Sequence, residues 1–93
     1  MYIQFVHTKY EHTNWNKLKS KRLKKTRGVS FEEIIKAKLV AVLKHPIQGN
    51  QNILVYDYKE YIWAVPCVIE ENKIFLKTIY PSRKLMKILK KES

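Results

Sequence analysis

The chain has 93 residues, 45% of them hydrophobic, with 19 Lys and Arg against 8 Asp and Glu, a net charge of +11, and one cysteine. A lone Cys67 excludes an internal disulfide framework or a thiol-based metal site, and no apolar run approaches the ~20 residues of a membrane span. The apolar content argues against disorder, and the start, Met1-Tyr2-Ile3-Gln4-Phe5, lacks the basic and apolar regions of a secretion signal, so a small cytoplasmic domain over residues 1–93 is expected.

Residues 2–7 alternate weakly, are rich in β-formers and read as a first strand. Thr13 or Asn14 can cap a helix running to Arg27, with Gly28 as the residue that closes it. Trp15, Leu18 and Leu23 are its only large apolar side chains and form one narrow stripe towards the core. Ser30 and Glu33 then form a capping box, with Val29 and Ile34 as its hydrophobic staple. The second helix is expected over about 31–38, burying Phe31, Ile34 and Ile35. Val40 and Val42 favour a strand after it.

His45-Pro46-Ile47-Gln48-Gly49-Asn50 reads as a loop. Three strands follow, near 51–58, 61–69 and 73–80, joined by hairpins at Lys59-Glu60 and Glu71-Asn72. The middle one is apolar on both faces, which marks a central strand covered on both sides. Pro66 within it predicts a bulge or an end of pairing. Ser82 caps a last helix carrying Leu85, Ile88 and Leu89 at helical spacing.

The charge is not spread evenly. Residues 1–29 hold eight bases and one acid, residues 30–80 six of each, and residues 81–93 five bases and one acid. All of the excess lies at the two ends. Seven bases and no acid over residues 13–27 repel one another unless something anionic meets them. A polyanion or a strongly acidic protein is the implied partner.

The chemistry on offer is narrow. Asp57 is the only aspartate, Glu32-Glu33 serve a helix start, and Glu70-Glu71 border a turn, so the clustered carboxylates of a metal-dependent nuclease are missing. Zinc, triphosphate-loop and serine-hydrolase motifs are also missing. No cofactor and no metal are expected. What remains is basic and aromatic. Arg83 and Lys84 fall in the first turn of the last helix, where the macrodipole disfavours cations but favours a phosphate between them. Lys77 shares a strand face with Phe75 and Ile79. His45 offers a general acid or base or a plain loop hydrogen bond, and Tyr80 can position or protonate a phosphate oxygen. Lys17, Lys21, Lys24, Lys25, Arg27 and Lys44 are the candidate RNA contacts. Trp15, Trp63 and Cys67 read as core.

Several strings resemble BrnT-type toxins of type II toxin–antitoxin systems. Trp15-Asn16, Lys19 and Gly28-Val29-Ser30-Phe31-Glu32-Glu33 are similar to that family's Trp-Asp, lysine and Gly-Val-Ser-Phe-Glu-Glu signature. Ile79-Tyr80-Pro81-Ser82-Arg83-Lys84 resembles its closing Ile-Ser-Ala-Arg-Lys motif. His45-Pro46, Gln51, Val65-Pro66 and Phe75-Leu76-Lys77-Thr78-Ile79 look like a divergent branch. The resemblance spans residues 13–90. It implies a RelE/ParE-like α+β fold, with an antiparallel sheet of about four to five strands, two helices in the amino-terminal half and one at the carboxyl end. It also implies a metal-independent endoribonuclease that arrests translation and is neutralised by a ribbon-helix-helix antitoxin. Arg83 and Lys84 match the closing Arg-Lys; Lys77 and Thr78 match only within the branch. Thr26-Arg27 stands where the family has Lys-His, so no role of that histidine carries over, and Pro81 replaces a small non-proline residue. Two other readings stay open: a non-catalytic RNA- or ribosome-binding module, and a ParE-like toxin that acts by binding a protein target.

Overall fold

The computed structural model describes residues 12–44, 51–71 and 73–90. In chain order they form β1 (His12–Trp15), α1 (Lys17–Arg27), α2 (Phe31–Ile34), β2 (Lys38–Lys44), β3 (Gln51–Tyr58), β4 (Tyr61–Glu70), β5 (Lys73–Leu76), β6 (Tyr80–Pro81) and α3 (Arg83–Lys90). The strands make one sheet in the order β1-β5-β4-β3-β2, with β6 pairing β4 beside β5. The sheet is mixed rather than purely antiparallel, because β1 runs parallel to β5. The strand expected at residues 2–7 lies outside the described residues.

The first helix starts later than the sequence suggested. Residues 12–15 pair with β5, so Thr13 and Asn14 are strand residues. Asn16 is the cap instead, its side chain accepting from the Lys19 amide at 2.9 Å. Gly28 ends α1 at φ +81°, its amide donating to the Lys24 carbonyl at 3.1 Å. That left-handed conformation suits glycine because other residues bring Cβ against the carbonyl. The expected capping box of α2 is present at Ser30 and Glu33, but the helix stops after four residues. Turn bonds from Ile35 to Phe31 and from Ala37 to Ile34 then lead into β2. The only irregularity in the β2–β3 ladder falls between Leu39 and Ala41.

β4 explains its own composition. Its odd-numbered residues Val65 and Cys67 join Leu54, Tyr56, Ile74, Leu76 and Ile79 under α1 and α2, which contribute Leu23, Phe31 and Ile34. On the other face Ile62 packs with Ala41 and Val55 beneath Leu85, Met86 and Leu89 of α3. Each large apolar side chain fully buried this way contributes roughly 1.5–3 kcal/mol. Pro66 stays in register with Ile53 of β3, so it makes no bulge there. On its other edge β4 changes partner, pairing β5 at Cys67–Glu70 and β6 at Trp63–Ala64. The Pro66 carbonyl accepts from Lys77 on that edge at 2.9 Å. The missing proline N–H therefore faces the break in pairing, where it costs least.

The strand expected to run over residues 73–80 is split at that point. β5 ends at Leu76, residues 77–79 are irregular, and β6 takes up Tyr80 and Pro81. No helix among the described residues is long and apolar enough to cross a membrane.

Candidate functional site

Two basic segments far apart in sequence meet at one contact. Arg27, in the last turn of α1, donates from Nη1 to the Ile79 carbonyl at 2.6 Å. Ile79 is fully buried, so its carbonyl is a fixed acceptor on the segment that carries Lys77, Tyr80, Arg83 and Lys84. The guanidinium therefore holds the basic end of α1 against the run leading into α3. A charge-assisted hydrogen bond of this kind is stronger than a neutral one.

The run itself is held at several points. Lys77 donates its amide to Pro66, Tyr80 pairs with Ala64, and the Ser82 amide donates to the Ile62 carbonyl at 3.0 Å. Ser82 then caps α3, its hydroxyl accepting from the Leu85 amide at 3.2 Å, as the sequence suggested. Arg83 and Lys84 are exposed in the first turn of α3, and Lys77 and Tyr80 are exposed before it. These four follow one another along a short segment whose backbone is bonded to β4.

On α1 the residues Lys17, Lys21 and Lys25 are exposed. Lys24 is different. Its ammonium pairs with Glu33 at 2.8 Å, and the hydrogen bond to that carboxylate pushes the Lys24 pKa up. The same lysine bond, with the Ser30 amide, holds the Glu33 carboxyl down at about 2. Lys24 thus ties α1 to the α2 cap. Leu18 departs from the expected apolar stripe: it is exposed, and Ser20 is buried on the inner face beside Leu23.

Ser20 was invisible to the sequence reading. Its hydroxyl accepts from the buried Phe31 amide at 2.9 Å and donates to Glu32, which also accepts from Trp15 Nε1 at 3.2 Å. The Ser20 bond is the main reason the Glu32 carboxyl sits below its ordinary range. Glu32 and Glu33 are thus spent on structure and do not neutralise Arg83 or Lys84. The signal was a small polar residue at helical spacing from Leu23 and Arg27, on a face otherwise turned inwards.

Lys44 is exposed at the end of β2, on the sheet edge opposite β1. It is in register with Asn52 and is not grouped with Lys77. His45 lies outside the described residues. Cys67 is buried, and burial pushes its thiol up to about 12, which leaves it inert. Trp15 and Trp63 are half-buried; Trp63 Nε1 donates to the Tyr58 carbonyl at 3.1 Å. Among the described residues no group of three or more His, Cys, Asp or Glu side chains is placed to hold a metal ion. Comparison with known protein families, characterised proteins and solved structures finds no match to this chain.

Proposed function

We propose that this chain is a toxin of the type II toxin–antitoxin kind that binds RNA across α1 and the Lys77–Lys84 segment and cleaves it without a metal. The observation that carries the reading is the 2.6 Å bond from Arg27 to the Ile79 carbonyl, which ties the basic end of α1 to a second basic segment 52 residues on. A single basic helix serves solubility as readily as binding; two converging on one fixed segment suit a polyanion. The resemblance to BrnT-type toxins at Gly28–Glu33 and Ile79–Lys84 supports the same reading, as do the helices' places along the chain. A RelE/ParE-like fold is part of the proposal, and so is a ribbon-helix-helix antitoxin meeting the basic surface.

The chemistry requires the ribose 2′-hydroxyl to attack the adjacent phosphorus while the 5′-oxygen leaves. Arg83, Lys84 and Lys77 stabilise charge developing on the phosphate oxygens, and Tyr80 lies within the same run to position or protonate one of them. The products are a 2′,3′-cyclic phosphate and a 5′-hydroxyl. A second reading, binding without cleavage, is favoured by one fact: the described side chains gathered here are cations and a phenol.

Induced expression with mapping of RNA ends tests the proposal. Cyclic-phosphate ends that disappear with Arg83→Ala, in a protein still folded, support it; a 2′-deoxy linkage at the cut site should resist cleavage. Growth arrest with intact transcripts refutes cleavage. RNA binding should also weaken steeply with salt, by about 0.7 log per log for each phosphate neutralised on a single strand.

A further inference from the structure

The outer face of the sheet is only half covered. α3 lies over β2, β3 and the start of β4, and among the described residues no element covers the part formed by β1, β5 and the end of β4. Among the described residues the large apolar side chains Leu18, Phe75, Tyr80 and Ile88 are exposed. The two aromatic ones stand on this same face. Phe75 pairs with Val68 and Tyr80 with Ala64, and paired residues in an antiparallel ladder share a face. Val68 and Ala64 belong to the even-numbered, α3-side face of β4. Lys77 bonds to Pro66, so it falls on that face between the two rings. Lys73 and Asn14 flank Phe75 from β5 and β1.

We infer that this open face is a stacking platform for single-stranded RNA, with Phe75 and Tyr80 as base-stacking rings and Lys77 as the phosphate contact between them. The inference rests on the RNA reading above and names a subsite for it. Ile74 and Leu76 on either side of it are buried, so strand alternation turns the Phe75 ring to the open face, where a polar residue would be the ordinary choice. An apolar ring set between Lys73 and Lys77 instead matches the combination that holds single strands, aromatic faces for bases and cations for the backbone. Beside Phe75 the surface dips into a concavity of about 230 Å³ lined by Asn14, Val68, Glu70, Lys73 and Ile74. Glu70 is in register with Lys73 on the same face, so the acid meets a base there. The Asn14 amide supplies both a donor and an acceptor for a base edge.

The spacing sets the kind of strand. Val68 and Ala64 are four positions apart on β4, which places the two rings roughly 13 Å apart along the strand. Bases stacked in a helix lie ~3.4 Å apart, so the rings do not serve adjacent stacked bases. A drawn-out single strand with its phosphate over Lys77 reaches both, and a duplex reaches neither.

The test measures binding of a single-stranded RNA octamer, the matching duplex and inorganic polyphosphate to the full chain and to Phe75→Leu, Tyr80→Leu and Phe75→Trp. Both rings are exposed, so the leucine variants should fold. Each should lose roughly 5- to 100-fold in octamer affinity with the salt slope and polyphosphate binding unchanged. Phe75→Trp should keep the affinity and show fluorescence quenched by the octamer. Octamer binding that is salt-dependent but indifferent to both leucine changes, or duplex bound as well as single strand, overturns the platform and leaves the RNA reading standing. No salt-dependent octamer binding by the unaltered chain overturns the RNA reading itself.

Discussion

Replacing Ser20 with alanine removes one oxygen that serves two partners. The Phe31 amide is the first N–H of α2, which no bond within that helix can satisfy. Phe31 is fully buried and Ser20 is 1% exposed, so water is a poor substitute. An orphaned buried donor costs about 1–3 kcal/mol, against which alanine regains about 0.5 kcal/mol of helix propensity in α1. The expected net loss is about 1–2 kcal/mol, or a Tm lower by roughly 4–8 °C for each kcal/mol in a domain of this size. Equilibrium urea unfolding at neutral pH measures it, with the slope m unchanged. The carboxyl of Glu32 should rise at the same time towards its ordinary pKa, since the Ser20 hydroxyl is the first cause of its depression; carbon-detected titration reads this. Glu32→Gln, which keeps one of the two acceptor oxygens that Trp15 and Ser20 use, at an exposed position, should cost less than Ser20→Ala. A Ser20→Ala loss below about 0.5 kcal/mol, or a Glu32 titration that does not move, would show that the hydroxyl is not what holds α1 to α2.

Glu33 sets an acid limit. Its folded pKa of about 2 lies below the ordinary 4.5, so the stability it contributes is present above pH 4.5 and is lost as the pH falls through about 2. Screening at this partly exposed pair brings that contribution to about 1 kcal/mol, and Glu33→Gln should flatten the stability profile across that window in thermal melts. Gly28→Ala should cost about 1–2 kcal/mol. No atom lies within 4 Å of the added Cβ, so the loss comes from the +81° φ alone; Gly28→Asn, which tolerates that region, should lose less in urea unfolding, and an equal loss would refute the backbone cause. Glu60→Gly should stabilise the chain by up to about 1 kcal/mol, because Lys59 and Glu60 both hold positive φ, 54° and 64°. A lower urea midpoint for that variant would contradict the assignment of strain to the turn.

The strongest sequence signals were those in which a side chain acts on its own neighbourhood. The Ser30-Glu33 box, the Gly28 stop, the Lys59-Glu60 turn and the Ser82 cap are all local hydrogen-bond or backbone requirements, and each is found where the sequence placed it. Features that depend on distant partners were not legible. Residues 12–15 have nothing in their own pattern to announce a parallel strand; β5, nearly sixty residues on, makes them one. Leu18 looked like core because it stands three residues after Trp15 in what reads as one helix, yet Trp15 is a strand residue and the face towards α2 is set by Ser20 and its bond to Phe31. For the candidate site, the cations of the Lys77–Lys84 run were visible as a cluster, but their union with α1 hangs on the Ile79 carbonyl. Backbone acceptors carry no sequence signature.

That union bears on how charge and stability trade against each other. α1 carries seven bases in eleven residues with no acid of its own, and Lys24 is relieved by its ion pair with Glu33. The cations left facing solvent, Lys17, Lys21 and Lys25 among them, raise the free energy of the folded state through mutual repulsion. Leu23 and Ser20 hold the helix from one side, and Arg27 holds its end to the Ile79 carbonyl. An anion bound across α1 and the Lys77–Lys84 run would relieve the repulsion and stabilise the fold in proportion to the logarithm of its concentration over its Kd. Such stabilisation should vanish with salt if it is electrostatic. Arg27→Lys separates the two roles of that side chain: it keeps the charge but replaces the guanidinium that reaches Ile79 with a shorter, single-headed ammonium. A variant that melts lower without ligand yet gains as much from RNA would place the charge of Arg27 in binding and its hydrogen bond in the fold.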